Sequence, residues 1–374
     1  GSGAGDQNGT AKKKDGTVEE RKAIIRKYAS KGMKVTTVAG FVGISKSSYY
    51  YKHRPGRRGR KASTQTLLGD GLMVPNEQVV IEIKTILETE FLENGYRKVA
   101  NELKDMDYHI GKTKTFRLMK ENRLLLPPKK KRAREFVRFT QPLPFEPFEK
   151  LEMDIKFIYI RGERRNALLI TILDTFTRLV LAWELQYSIR HTTIGRMFDQ
   201  VIEQWLQPYR PPYDDELTVT LRCDNDGRFV AHDLQKYMSD NFINQEFILP
   251  ATPQQNAHIE SFHSIIEELI CRKYEFDDIH HAREVFQRFY PTYNDRRTIS
   301  SLLYLPPSVF LNEWETSNVG INMRKYRGKI IQKFFFRGQR PKWRSAPAED
   351  ISNLGICKDK TEMLNFVQPS LNES

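Results

Sequence analysis

The chain has 374 residues and a formal net charge of +13, because 60 lysines and arginines outnumber 47 aspartates and glutamates. This excess of positive charge predicts a nucleic-acid partner, although a basic surface can also serve solubility alone. A chain of this length accommodates two or three domains. No apolar run reaches about 18 residues, which excludes a membrane span. The three cysteines, Cys223, Cys271 and Cys357, fit a reducing cytoplasm and exclude a disulfide scaffold or zinc site.

The first domain is predicted over residues 17–53. Residues 1–16 are polar and rich in Gly and Lys, begin like a tag remnant with no apolar signal segment, and are expected to be disordered. Val18 to Tyr51 then reads as a helix-turn-helix, in which Gly43 permits the turn and Ser45 caps the second helix. A generic helical hairpin is the alternative. The second helix would offer four side chains to DNA: Lys46, Ser47, Ser48 and Tyr50.

A basic linker is predicted over residues 54–76. Its glycines and Pro55 exclude a continuous helix, so the segment can lie along a DNA backbone or enter a minor groove. A solvated tether fits the composition equally well. The candidate DNA contacts in this linker are Arg57, Arg58 and Arg60.

A second helical unit is predicted over residues 77–126, where Val79, Ile83 and Ile86 recur at helical spacing. Its candidate phosphate contacts, each of which can instead be merely solvated, are Arg97, Lys112, Lys114 and Arg117. A basic extended linker over residues 127–144 follows, because Pro127 and Pro128 end the helix. Its candidate phosphate contacts are Lys129, Lys130, Lys131 and Arg132.

Residues 145–312 contain three carboxylates in unusual contexts. Asp154 lies within the strand-like run 150–160, where a core residue would be expected, and Asp224 follows a second strand at 217–223. Glu260 lies in the first turn of a helix over 257–272. Further strands are predicted at 167–173 and 178–187, with helices near 191–206, 230–239 and 278–293. This order indicates an α/β domain with helices on both faces of a mixed sheet.

The three acids point to phosphoryl transfer. Carboxylates that converge from separate elements can hold two divalent cations roughly 4 Å apart over one phosphodiester. Hard oxygen ligands favour Mg²⁺ or Mn²⁺ over Zn²⁺. We therefore expect two cations per active site, one shared by Asp154 and Asp224 and the other by Asp154 and Glu260. The first would activate the attacking water or DNA 3′-OH, and the second would stabilise the leaving oxygen.

The acidic set, the stretch from Thr252 to Phe262, and Tyr293 to Arg297 with the Pro306-Pro307 pair resemble the catalytic core of bacterial transposases of insertion-sequence family three. That core is similar to retroviral integrase. The resemblance implies an RNase H-like fold whose catalytic and metal-binding residues are Asp154, Asp224 and Glu260. It also implies binding of terminal inverted repeats and target DNA by a homodimer, 3′-end cleavage and strand transfer, and a copy-out, paste-in route.

The resemblance extends to the second helical unit, which is similar to the second helix-turn-helix before such cores. Two positions depart from the family pattern. Asp226 stands between the second acid and Gly227, and position 267, often basic in relatives and facing DNA, is Glu267. Arg272 or Lys273 can take over that contact.

Several polar residues near the acids have alternative roles. For Asp174, turn formation or pairing with Arg178 is favoured over metal binding, and for Asp226 turn formation is favoured. Asn256 is expected to cap the helix of Glu260. His258 is a candidate phosphate contact, while His263 has no partner spacing for a metal site. Gln254 and Gln255 are expected on a loop over the cut strand. The extension over residues 313–374 is assigned to DNA or protomer contact, with packing on the core as the alternative.

Two other functions remain open at this point. An RNase H-like nuclease without strand transfer would keep the three acids, and a nonenzymatic DNA-binding regulator would keep the charge and the helical units. The expected location is the bacterial cytoplasm, in association with the nucleoid.

Overall fold

The computed structural model describes residues 17–52, 62–127, 143–209, 219–249, 256–326 and 329–344. The chain divides into two compact units, Gly1–Ala62 and Ser63–Ser374. Several predicted features lie outside the described residues: the N-terminal 16 residues, Arg57, Arg58, Arg60, Lys129, Lys130, Lys131, Arg132, Gln254 and Gln255. In the described part of the chain, every helix is too short or too polar to cross a bilayer.

The first unit contains three short helices: α1 (Val18–Ala29), α2 (Val35–Val42) and α3 (Lys46–Tyr50). Gly43 ends α2 with a φ of 69°, a left-handed conformation that glycine adopts without steric cost. Ser45 caps α3 by accepting the Ser48 backbone N–H at 3.1 Å, as predicted. Ile25, Val38 and Ala39 form the buried centre of this unit. These helices and the turn at Gly43 fit both a helix-turn-helix and a generic helical hairpin, so the DNA-binding assignment of this unit stays a prediction.

The second helical unit begins earlier than the sequence indicated. Part of the predicted linker over 54–76 forms a hairpin of two antiparallel strands, β1 (Gln65–Leu68) and β2 (Met73–Pro75). The elements that follow are α4 (Asn76–Glu88), α5 (Tyr96–Asp105), β3 (Tyr108–His109) and α6 (Lys112–Glu121). Strand β1 lies between β2 and β3. The hairpin packs on the helices because Val74 joins Val79, Ile83 and Leu103 in one apolar cluster.

The central domain is built on a five-stranded mixed sheet in the order β6-β5-β4-β7-β8. Its strands are β4 (Lys150–Ile160), β5 (Arg165–Asp174), β6 (Val180–Gln186), β7 (Val219–Cys223) and β8 (Ile243–Phe247). Strands β4, β5 and β6 are antiparallel neighbours, whereas β7 runs parallel to both β4 and β8. Four strands match the predicted ranges; β8 was not predicted.

Helices cover both faces of this sheet. They are α7 (His191–Val201), which continues as a π-helical turn (Ile202–Leu206) into α8 (Gln207–Tyr209), α9 (His232–Asp240), α10 (Ala257–Ile266) with a π-helical turn (Glu267–Cys271), α11 (Ile279–Asp295) and α12 (Pro307–Glu315). One apolar cluster includes residues of α7 and α9, and another includes residues of α10 and α11. This topology confirms the predicted RNase H-like fold.

The C-terminal extension folds back on the chain as far as it is described. Strands β9 (Val319–Tyr326) and β10 (Lys329–Phe336) form an antiparallel hairpin. Phe334 packs edge-on against Phe176 and Phe310 of the central domain. The segment after β10 contacts α5 of the second helical unit. The described part of this extension therefore packs on the same chain, which is the alternative considered for it. Its assignment to DNA or protomer contact stays a prediction.

Candidate active site

Asp154 and Asp224 lie side by side on neighbouring parallel strands. Lys150 of β4 pairs with Thr220 of β7, and Glu152 pairs with Arg222. Continued by two residues, this register sets Asp154 opposite Asp224, which directly follows β7, and the charge of Asp154 acts on Asp224. Side chains at equivalent positions of paired strands point to the same face of a sheet. The strand pairing therefore brings the two carboxylates together.

The turn after β7 orients Asp224 and occupies its neighbour Asp226. The Asp224 carboxylate accepts the Asp226 backbone N–H at 3.1 Å. Asp226 is bound by the Arg228 guanidinium, with Nε 2.7 Å from Oδ1. This hydrogen bond holds the pKa of Asp226 below its usual value. Asp226 thus forms the turn and an ion pair, which is the favoured one of the two roles considered for it.

Glu260 lies in the first turn of α10, and the apolar side chains of this helix fix its position. Ile259, Phe262 and Ile266 are buried against the sheet. The first turn is also tied to β4, since the Ile259 backbone N–H donates to the Glu152 carboxylate at 2.7 Å. The strand that contains Asp154 therefore also anchors the helix that contains Glu260.

The predicted cap of α10 differs from the observed one. Asn256 occupies the N-cap position, but its side chain makes no cap hydrogen bond and its Nδ2 is 3.4 Å from the Met153 carbonyl. Glu152, which is 2% exposed, supplies the acceptor instead. Burial raises the pKa of Glu152 to about 7, and the hydrogen bond from the Ile259 backbone N–H partly offsets this increase. This residue was missed, since its partner is distant in sequence.

Asp154 lies electrostatically between the other two acids. Burial raises the pKa of Asp224, and the negative charge of Asp154 raises it further. Burial and the charge of Asp154 raise the pKa of Glu260 in the same way. Within the described ranges, no three His, Cys, Asp or Glu side chains come together as a ready metal cluster. The acids are thus arranged as two pairs that share Asp154.

His263 is an unexpected neighbour of Asp154. It lies one helical turn after Glu260 on α10, and its Nδ1 is 3.4 Å from Asp154 Oδ2. His258, on the same helix, is influenced by the positive charges of Arg178 and Arg222. Burial and those two cations lower the pKa of His258 to about 3, so the imidazole is neutral. A neutral imidazole binds phosphate more weakly than an imidazolium does. This disfavours the phosphate contact considered for His258 from the sequence.

Glu267 and Lys273 each form an ion pair with another residue of the chain. Glu267 departs from the family pattern, and Lys273 is one of the two residues expected to replace its DNA contact. The Glu267 carboxylate is 3.0 Å from Lys156 Nζ, and Lys156 follows Asp154 by two residues on the same face of β4. Lys273 is 2.7 Å from Glu93. The positively charged side chain near the acids is therefore Lys156 of β4. Arg272 remains the candidate for a DNA contact in place of Glu267.

Asp174 forms a turn, which is one of the two roles favoured for it. It is fully buried at the end of β5, where it accepts the backbone N–H groups of Phe148 at 3.1 Å and Thr177 at 2.8 Å. The Thr177 hydroxyl donates to it at 2.6 Å. These donors saturate the carboxylate, so Asp174 stabilises the β5–β6 connection.

The candidate DNA contacts are distributed over both units. Lys46, Ser47, Ser48 and Tyr50 are exposed on α3, and the hydroxyls of Ser47 and Ser48 lie within 2.9 Å and 2.8 Å of the Ser45 hydroxyl. In the second helical unit, Lys112 and Arg97 are exposed. Two other side chains bind the β1 segment, since Lys114 Nζ donates to the Gln65 carbonyl at 2.5 Å and Arg117 to the Ser63 carbonyl at 2.9 Å.

Replacing Glu152 with alanine is expected to lower the free energy of unfolding by about 1–3 kcal/mol, because the buried Ile259 N–H loses its acceptor. Urea denaturation of the full chain would measure the change. Glu246→Ala is a matched control, since Glu246 pairs with Arg222 at 2.9 Å but its side chain is about half exposed. Equal stability of Glu152→Ala and wild type would contradict the anchoring role.

Comparison with known proteins agrees with this geometry. Residues 145–253 and 241–307 match two models, each described as an integrase core domain. The chain is 24% identical over 271 residues to the insertion element IS407 uncharacterized 31.7 kDa protein of Burkholderia multivorans, covering 72% of this chain and 87% of that protein. It is 26% identical over 224 residues to the insertion element IS476 uncharacterized 39.2 kDa protein of Xanthomonas euvesicatoria, covering 59% and 61%.

Among solved structures, the catalytic core domain of BIV integrase is similar at 15% sequence identity and a TM-score of 0.33, over 46% of this chain and 97% of that chain. This similarity is too distant to inform mechanism. The matches to the integrase core models cover all three acids, and the two sequence relatives come from bacterial insertion elements. Residues 145–307 of the chain therefore match an integrase core domain, and the chain is similar to proteins of bacterial insertion elements.

Proposed function

We propose that this protein binds the terminal inverted repeats of an insertion sequence, cleaves DNA at the 3′ ends and transfers those ends to target DNA. The observation that supports this proposal is the meeting of Asp154 and Asp224 on paired parallel strands, with Glu260 on a helix anchored to the same strand. Water or a DNA 3′-OH attacks the phosphorus directly, so one site serves cleavage and joining without a covalent protein intermediate.

The three acids suit two divalent cations of the hard, oxygen-preferring kind, Mg²⁺ or Mn²⁺. The raised pKa of Asp224 and Glu260 supports this assignment, because a cation would offset the repulsion from Asp154. Asp154 would contribute to both metal positions, Asp224 to one and Glu260 to the other. When bound, the cations supply Lewis acidity toward the attacking and leaving oxygens. Beside these acids, the His263 imidazole lies 3.4 Å from the Asp154 carboxylate, and Lys156 pairs with Glu267 at 3.0 Å.

Chelation is expected to abolish DNA cleavage and joining, since carboxylates alone cannot activate the nucleophile. Activity should return on addition of Mg²⁺ or Mn²⁺. Denaturing electrophoresis of labelled duplexes with EDTA, and after metal is restored, would measure both steps. Unchanged activity in EDTA would contradict the metal assignment.

DNA recognition is assigned to the helical units, with α3 reading base edges and the basic side chains of both units binding phosphates. A homodimer would pair two element ends, and a copy-out, paste-in route would follow. A nuclease that cleaves DNA without strand transfer would use the same three acids. A DNA-binding regulator without enzymatic activity would need none of them. Incubating a labelled 3′-OH end with an unlabelled target duplex distinguishes these three functions. A transferase gives joined products, a nuclease gives only cut products, and a regulator leaves both duplexes unchanged.

A further inference from the structure

The C-terminal segment after β10 forms a charged junction between the second helical unit and the central domain. We call this junction the tail clasp. Its basic and aromatic side come from the segment, and its acidic side comes from α5 and the turn that follows. The members are Arg340, Trp343 and Arg344 on one side and Glu102 and Asp105 on the other, while the exposed pair of Lys342 and Asp107 lies at the edge of the clasp.

Arg340 binds both domains at once. Its Nε is 2.5 Å from Asp105 Oδ1, and its Nη2 is 3.0 Å from Asp105 Oδ2. The same guanidinium donates to the carbonyls of Leu303 at 2.6 Å and Tyr304 at 3.2 Å, in the loop between α11 and α12. A planar guanidinium with two bonds to one carboxylate fixes direction as well as distance. Arg340 therefore links α5 rigidly to the central domain.

Trp343 makes a second link to the same carboxylate. Its ring is 2% exposed and packs in a cluster with Phe176, Leu302 and Phe310 of the central domain. Its indole Nε1 donates to Asp105 Oδ2 at 3.0 Å. Since Asp105 is itself 2% exposed, water cannot easily replace these donors.

Two ion pairs extend the clasp along α5. Arg344 pairs with Glu102, a buried carboxylate that also accepts a hydrogen bond from the Asn94 amide at 2.6 Å. Lys342 lies 2.7 Å from Asp107 with both side chains largely exposed. The buried pair restricts motion, whereas the exposed pair contributes little.

The α4–α5 connection supplies an independent contact with the central domain. Phe91 is buried against Phe289 of α11, with ring centroids 5.5 Å apart. Arg288 of the same helix is 3.3 Å from Glu90. The second helical unit is thus held at two places, so it cannot pivot about one contact.

We propose that the tail clasp is a positioning device that sets which phosphodiester is cut. This inference rests on the proposed function. DNA bound by the exposed cations of the second helical unit, Lys112 and Arg97, reaches the acids at a distance set by the docking of that unit. Misplacement of a reacting group by about 1 Å can lower a rate roughly a hundredfold, so a loosened clasp should blur the cutting position. Arg340 and Trp343 are the positioning residues.

Two variants test the clasp in the full chain. Arg340→Ala removes the bonds to Asp105, Leu303 and Tyr304, while Trp343→Phe removes only the indole donor and keeps an aromatic ring in the cluster. Lys342→Ala is the matched control, because it deletes an exposed cation of the same segment. The probe is a labelled duplex carrying the inverted repeat that flanks the gene, and cutting positions are resolved at single-nucleotide spacing with Mg²⁺ present. Thermal melting of each variant reports folding.

We expect the two variants to cut the wild-type phosphodiester at least about tenfold more slowly, with new cuts at adjacent phosphodiesters, while gel-shift affinity stays within a few fold. Lys342→Ala should cut as wild type does. A slower rate at one unchanged position, or wild-type cutting by Trp343→Phe, would overturn the positioning role. Should Arg340→Ala melt far below wild type, Trp343→Phe alone decides. Absence of cutting by the wild type would instead refute the proposed function.

Discussion

Asp154→Asn is expected to abolish both DNA cleavage and strand transfer while leaving DNA affinity within a few fold of wild type. Asp224→Asn and Glu260→Gln should do the same. Each replacement removes a negative oxygen ligand at a site where the metal contributes several kcal/mol to the transition state, and each 1.36 kcal/mol is a factor of ten. We therefore expect losses on the order of a thousandfold or more. Affinity should persist, because it depends on the basic helical units.

Asp226→Asn is the matched control for these variants. Asp226 stands on the same turn as Asp224, but its carboxylate is bound by Arg228. The variant should keep cleavage within about tenfold of wild type, since it changes an ion pair beside the site and no proposed ligand. Cleavage and joining of labelled duplexes, with gel shifts on the same preparations, would compare all four variants. Joining activity retained by Asp154→Asn, Asp224→Asn or Glu260→Gln would remove that residue from the site.

Deleting residues 1–62 is expected to remove most of the preference for element ends while the remaining chain keeps its fold. The deleted part is one compact unit with its own centre at Ile25, Val38 and Ala39. It contains α3, the proposed reading helix, and each lost base-pair contact costs about 1–3 kcal/mol of discrimination. The ratio of specific to nonspecific affinity should therefore fall by about two orders of magnitude or more.

Competition gel shifts with repeat and unrelated duplexes would measure that ratio, and thermal melting would check the fold. Lys46→Ala is the point-mutant counterpart, and it should relax preference at defined base pairs without changing stability. Selective protection of the repeat by the shortened chain would show that residues 63–374 determine sequence specificity, which would contradict the role of α3.

The boundary of such a deletion matters, because residues outside 145–312 pack in the apolar clusters of the central domain. A core cut at 145 and 312 would lose Phe91 and Trp343, which are 7% and 2% exposed in its apolar clusters. Loss of a buried aromatic ring costs about 3–5 kcal/mol. The sequence predicts the catalytic core over 145–312, and this boundary stays a prediction, because periodicity along the chain does not report which flanking residues pack against the core.

Local patterns predicted much of the fold correctly. The alternation and β-branched content of 150–160 and 217–223 identified β4 and β7, and Ser45 identified the start of α3. Strand β8 was missed because Asn244, Gln245 and Glu246 give it a polar centre on a strand that pairs on one side only. The hairpin of β1 and β2 was missed because it is short and its neighbour in sequence is strongly basic.

The three acids of the candidate site could be singled out from the sequence, but the groups around them could not. Asp154 stood out as a charge within an apolar strand, and Asp224 as the acid of a strand-end turn. Glu152, His263 and Lys156 act across the fold, each on a residue distant in sequence. Single-sequence patterns report spacing along the chain, so such contacts leave no trace in them.

Because α10 is tied to β4 through its first turn, the position of Glu260 depends on that turn staying folded. Strand β4 has neighbours on both sides, so its backbone opens only with the whole domain, and Asp154 shares that global protection. Glu260 depends on the first turn of α10, and helix ends open with far less free energy than central strands. One amide of that turn is retained by a single carboxylate, Glu152. Fraying of this turn would therefore move Glu260 away from Asp154 and Asp224. The proposed cleavage and joining would stop while the sheet stays folded.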